Sequence, residues 1–178
     1  MPMPRQQVPA LEVPTLAGVP FRLADERPQR LTLISVYRGL HCPICATSLK
    51  ELERFTPAFA ERGVTTIALS TDTQERAQAM AEKIDAAKLR IGYGLPLETA
   101  RQWGLYLSAG RGKTSIGIEE PALFAEPGVF LVRPDNSLYY LSVQSMPFVR
   151  PSFAGMVQAL DFMIQNDYPA RGEYAGAI

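Results

Sequence analysis

Cys42 and Cys45 are the only cysteines of the 178-residue chain, and they stand two residues apart in His41-Cys42-Pro43-Ile44-Cys45. Two thiols at that spacing can close a small disulfide ring. The thiolate is the species that attacks disulfides or hydroperoxides, so the pair offers a nucleophile with its own resolving partner. Proline is favoured at the first position of a helix, because the N–H it lacks would be unpaired there, so Pro43 predicts a helix starting at Cys42. Both sulfurs then lie near the positive end of that helix, and Cys42 should react well below the ordinary cysteine pKa of about 8.5. Cys42 is expected to be the more exposed of the two, with Cys45 about one turn further in.

Two flanking residues can assist. His41, the single histidine, as imidazolium would lower the Cys42 pKa and as neutral imidazole would accept its proton. Arg38 can hold a thiolate, peroxide or sulfenate by charge-assisted hydrogen bonds, or it can be an ordinary solvated or core-capping arginine. A Cys-x-x-Cys pair is also half of many zinc sites. A tetrahedral site needs two more ligands, however, and His41 is the only other soft donor, so no metal and no cofactor is expected. The bland reading of two inert buried thiols is weakened by the helix start beside them. Gly110-Arg111-Gly112-Lys113-Thr114-Ser115 is not a phosphate loop, since Leu107 stands where the first glycine is required. It reads as a mobile surface loop.

The elements around the pair follow a βαβα pattern. Residues 1–10 are Pro-rich and are expected to be an extended, weakly held lead-in. Leu11 to Val13 and Val19 to Leu23 suit short edge strands. Leu31 to Tyr37 is an apolar run without alternation, the mark of a central strand buried on both faces. The helix from Cys42 carries a core stripe of Leu49, Leu52, Phe55 and Phe59 and stops at Gly63, with Pro57 expected to kink or shorten it. Val64 to Ser70 is a second buried strand. Asp72 or Thr73 can cap a helix through about Lys88 that buries Ala77, Met80, Ala81 and Ile84. A short strand at Leu89 to Gly94 and a helix from Leu97 to Leu107 packing Trp103 and Tyr106 come next, then a Gly-rich stretch to Pro127. Gly128 to Val132 and Leu138 to Val143 form a hairpin around Pro134-Asp135-Asn136-Ser137. A final helix from Ser152 to Ile164 has Phe153, Met156, Leu160 and Ile164 inward.

Composition bounds the function. The chain is 47% hydrophobic and 20% charged, as soluble globular proteins are, and 18 basic residues balance 18 acidic ones, so no overall field draws nucleic acid or membrane. One domain spanning 1–178 is expected. Met1 to Gln7 lacks the apolar region of a secretory signal and no long apolar run occurs, which predicts a cytoplasmic protein, where a close cysteine pair is redox-active more often than structural.

From Pro9 to about Asp135 the order of elements resembles the peroxiredoxin-like (AhpC/TSA, redoxin) family of the thioredoxin-like superfamily. The likeness rests on Pro9 to Gly18, on Ser70-Thr71-Asp72-Thr73, and most specifically on Val36-Tyr37-Arg38-Gly39-Leu40-His41-Cys42-Pro43-Ile44-Cys45. It implies an α/β thioredoxin-like fold, a central mixed β-sheet flanked by helices, with an N-terminal strand extension and a C-terminal β-hairpin plus helix. The family pattern Pro-x-x-x-Thr-x-x-Cys puts its peroxide-attacking cysteine on Cys45, its proline on Arg38 and its threonine on Cys42. Its peroxide-polarising arginine falls on Pro127. Those departures resemble thioredoxins, with Cys42-x-x-Cys45 as their cysteine pair and Pro127 as their cis-proline before a strand.

The resemblance thus implies an oxidoreductase cycling a Cys42–Cys45 dithiol and disulfide. Its substrate would be an oxidised thiol or a hydroperoxide, its reductant an external thioredoxin-like or glutathione-like thiol, and a homodimer is compatible with it. Without the threonine and arginine, disulfide exchange is expected to outweigh a weak peroxidase activity. The alternative is a thioredoxin-fold binding or scaffold domain without redox turnover.

Overall fold

In the computed structural model, which describes residues 1–177, the apolar run after the lead-in is β3 (Leu31–Val36). All six of its residues are buried. Side chains alternate across a strand, so this one serves two cores: Leu31 and Leu33 face one cluster, Ile34 and Val36 the other. Parallel to β3 runs β4 (Val64–Leu69), and β5 (Arg90–Gly92) lies parallel beyond it. On the other side β8 (Gly128–Val132) pairs antiparallel with β3, and β9 (Leu138–Val143) closes that edge. The mixed sheet has the order β5-β4-β3-β8-β9.

One face is covered by α1 (Pro43–Glu61), α2 (Gln74–Lys83) and α4 (Phe153–Asn166), through Leu49, Leu52 and Phe59, Ala77 and Met80, and Phe153, Met156 and Leu160. Val157 completes the α4 stripe, whereas Ile164 is only half-buried. The opposite face takes α3 (Leu97–Gln102) and the ribbon of β1 (Glu12–Val13) and β2 (Phe21–Arg22). No helix among the described residues is long and apolar enough to cross a membrane.

Several expectations change. Pro57 does not shorten α1, which runs on to Glu61 with Phe55 half-buried and Phe59 fully buried. The packing of Phe59 and the Arg62–Asp161 ion pair to α4 hold the turn beyond the proline. Leu23–Asp25 is a 3-10 turn rather than the end of a strand. Helix α2 stops at Lys83, where Asp85 turns left-handed (φ 54°) and the Glu53 carboxylate takes the N–H groups of Lys88 and Leu89. Helix α3 stops at Gln102 before Gly104 (φ 78°), leaving Tyr106 exposed.

The Gly-rich stretch leading to Pro127 holds part of a ribbon, β6 (Leu107–Ala109) with β7 (Leu123–Ala125), and Gly110 to Ser115 lies in the surface loop between its strands. The lead-in is tied rather than loose: Arg5 N–H donates to Leu138, Val8 N–H to Asn136, and Leu138 N–H back to Gln6.

Candidate active site

The loop from β3 to α1 is fixed from below by Asp72. Its buried carboxylate accepts the Leu40 N–H at 2.7 Å and the Arg76 Nε–H at 2.9 Å. Gly39 adopts φ 140°, and a Cβ there would lie 2.8 Å from both Asp72 oxygens, so only glycine lets the loop close on its anchor. The Cys42 N–H then donates to the Gly39 carbonyl. Cys42 has extended backbone and is the N-cap of α1, its Sγ accepting the Cys45 N–H at 3.2 Å, with Pro43 beginning the helix. A sulfur thus takes the place of the oxygen that usually satisfies a free N–H at a helix start.

Both thiols are free and buried, Cys42 at 2% exposure and Cys45 at 0%, so Cys42 is the more exposed of the two, as expected, by a margin that leaves neither open to solvent. Pro151 and the cap Ser152 turn the chain into α4, and just before them Arg150 folds back over the pair. Its Nη2 lies 3.1 Å from Cys45 Sγ and 3.7 Å from Cys42 Sγ, while its Nε donates to the Pro147 carbonyl. The Cys42 thiol is lowered to about 6. The Cys45 S–H hydrogen bond is the main cause, followed by the Cys45 N–H and the Arg150 and Arg38 cations, all working against burial. Burial and the neighbouring sulfur push the Cys45 thiol up. The pair therefore holds one negative charge, centred on Cys42.

His41 does not supply that charge. It is fully buried, packs edge-on to Phe124 at 4.7 Å, and burial followed by the Arg38 cation lowers its pKa to about 4. The ring is neutral, and because Arg76 Nη2, 3.3 Å from Nδ1, can only donate, the proton sits on Nε2, which has no partner among the described residues. Arg38 turns to carboxylates instead of sulfur, reaching Glu126 at 3.2 Å and Glu120 at 3.4 Å and stacking over Phe124 at 4.8 Å. Pro127 is buried, but no peptide among the described residues is cis, so its likeness to a cis-proline fails.

Arg150, Asp72 and the glutamates of the β6–β7 ribbon are thus the site residues that sequence reasoning missed as such. The ribbon could have been suspected from Leu123-Phe124-Ala125, and Ser152 marked a helix start. Nothing near Arg150 announced that it reaches a site 105 residues away. Among the described residues no three His, Cys, Asp or Glu side chains are grouped to hold a metal. An open groove of about 640 Å³ is lined by Ile44, Thr47, Lys50, Arg54, Phe148 and Arg150 among others; neither cysteine lines it, and Arg150 is the side chain that reaches from it to both sulfurs.

Residues 4–141 match the model of the AhpC/TSA family, a segment that ends before the Arg150 loop. Three solved structures are similar over nearly the whole chain. Peroxidoxin BcpB from Mycobacterium tuberculosis is 18% identical, with a TM-score of 0.69 over 93% of this chain and 99% of that one. Reduced 2-Cys peroxiredoxin from Plasmodium vivax is 12% identical, with 0.74 over 100% and 92%. AhpC from Enterococcus faecalis is 16% identical, with 0.70 over 96% and 99%. At such identities the likeness concerns the fold. No curated protein matches the sequence.

Proposed function

The chain belongs to the AhpC/TSA family, a family of oxidoreductases with the thioredoxin-like fold, and from that premise we propose that it reduces small hydroperoxides by cycling Cys42 and Cys45 between dithiol and disulfide. The observation that carries this reading is the Arg150 guanidinium across both sulfurs. A fixed cation aimed where charge develops is the component whose absence at Pro127 predicted a weak peroxidase.

Cys42, with its thiol lowered to about 6, is the nucleophile at neutral pH. Its thiolate attacks the terminal peroxide oxygen, the O–O bond breaks, and the leaving alkoxide takes a proton to depart as alcohol or water. The resulting Cys42 sulfenic acid is attacked by Cys45, which gives up its proton, and water leaves as the Cys42–Cys45 bond forms. Starting from the pair with one thiolate and one thiol, the sum is one hydroperoxide and one proton in, and one disulfide, one alcohol and one water out. An external thiol then returns two electrons.

The family pattern favours Cys45 as first attacker, but its raised pKa and full burial suit it to the second step. The burial of both sulfurs also favours a small oxidant over a protein disulfide, the reverse of the ranking expected from the sequence. The test is stopped-flow mixing of the reduced chain with hydrogen peroxide while thiols are counted. The expected result is loss of both thiols for one peroxide consumed, with Cys42→Ser blocking the reaction. Retention of two alkylatable thiols would refute the reading.

A further inference from the structure

Building on the dithiol–disulfide cycle proposed above, we propose that the groove bordered by Arg150 binds the reductant, and that the reductant is a small anionic peptide thiol of the glutathione class. The groove lies between the first turns of α1 and the segment Phe148 to Ser152. Three cations border it: Lys50, Arg54 and Arg150. Glu51 is the one acid of the lining, and its Oε1 is already taken, accepting from the Ser152 hydroxyl and the Ala154 N–H, both at 3.2 Å.

Lys50 and Arg54 stand four apart on one helix face, a spacing at which like charges repel. Neither belongs to an ion pair among the described residues. A carboxylate ligand relieves that repulsion. At about 640 Å³ the space lies in the range that small ligands occupy, enough for a tripeptide. With Cys42 and Cys45 exposed by only 2% and 0%, a thiol on a slender, flexible peptide needs less displacement of Arg150 and its loop to meet a sulfur than one fixed on a protein surface.

Arg150 links the groove to the chemistry. In the reduced state its charge faces the anionic pair. Once the disulfide forms no anion remains there, and all three cations are free for an incoming ligand. Attraction is therefore greatest when a reductant is needed and falls when the work is done. The peptide thiolate attacks Cys42 Sγ, the Cys42–Cys45 bond breaks, and Cys45 leaves as a thiolate beside Arg150 Nη2 before taking a proton. A second peptide thiolate attacks the peptide sulfur of the mixed disulfide, releasing Cys42 thiolate and peptide disulfide. Two thiols are oxidised, one disulfide is reduced, and the electrons balance.

The test uses the oxidised full chain and three reductants: glutathione, its diethyl ester with both carboxylates masked, and uncharged dithiothreitol. Lys50 and Arg54 are exposed, so the variant Lys50→Glu/Arg54→Glu is expected to fold. It should slow reduction by glutathione by about tenfold or more while leaving dithiothreitol and the diester within about twofold. In the unaltered protein, added salt should slow glutathione alone. An unchanged ratio of glutathione to dithiothreitol rates in the variant overturns the proposal, as does an equal loss with both. So does faster reduction by a thioredoxin-type protein that ignores the variant and salt. Failure of the underlying cycle is seen separately, as no disulfide in the peroxide-treated protein before any reductant is added.

Discussion

Arg150 bridges Cys45 and Cys42 through a single nitrogen, Nη2, at 3.1 and 3.7 Å, and so couples the approach to the last helix to the first turn of α1. A second tie between the same regions runs from Glu51 to Ser152 and Ala154. The cation is held in place by its own loop, through Nε and the Pro147 carbonyl. It can act on developing charge without first being oriented.

Arg150→Gln is accordingly expected to slow the reaction with hydrogen peroxide by about a hundredfold to a thousandfold, the usual cost of deleting one preorganised donor. Arg150→Lys should recover part of the loss, since it keeps the charge but not the fork. Second-order rate constants from stopped flow at fixed pH decide it, and a wild-type rate in the glutamine variant would remove Arg150 from the mechanism.

Alkylation by iodoacetamide should half-saturate near pH 6, the value to which Cys42 is lowered, and Cys42→Ser should abolish that phase. Stability follows in sign. Because the folded pKa lies below the unfolded one, the Cys42 contribution is full above about pH 8.5 and is lost as pH falls through about 6. Cys45, shifted upward, acts oppositely at more alkaline pH, where the unfolded thiol ionises first. The urea midpoint of the reduced protein should therefore rise from pH 6 to about 8.5 and then level or fall. The oxidised protein, having no thiols to titrate, should lack this rise.

His41→Asn should leave the alkylation midpoint of Cys42 nearly where it is, because the imidazole is neutral and turned to Arg76. A rise of a full pH unit on this substitution would show that an imidazolium had been holding the thiolate after all.

Gly39→Ala should destabilise the fold by about 1–3 kcal/mol, since alanine pays for φ 140° and its Cβ meets the Asp72 carboxylate. Denaturant melts measure the first effect. Slower alkylation of Cys42 would report the second, a displaced helix start.

The sheet and the helix carrying the cysteines were legible because their signals are local: an unbroken apolar run for β3, a proline after Cys42 for α1, a 3.6-residue stripe for α4. Elements bounded by left-handed residues ran too long, since Asp85 gives no sign in sequence of its positive φ. The cysteine pair was legible for the same reason of locality. What surrounds it is assembled from distant segments, Asp72 from the end of β4, Phe124 and Glu126 from the ribbon, and Arg150 from the last loop. Only the fold brings these together, whereas His41 and Arg38, close to Cys42 in sequence, turn their side chains to Arg76 and to two glutamates, and of the two only the Arg38 cation helps to lower Cys42.

The sulfur that caps α1 is also the atom proposed to attack, and this sets selection for a sturdy fold against selection for turnover at one position. Serine, aspartate and asparagine are better-attested helix caps than cysteine, and each would end the chemistry. A laboratory lineage selected for thermal survival alone below about pH 6, where the Cys42 thiolate adds no stability, should drift toward Cys42→Ser, gaining stability as an inactive protein. Residue 42 of such survivors would then record whether redox work was ever demanded of them.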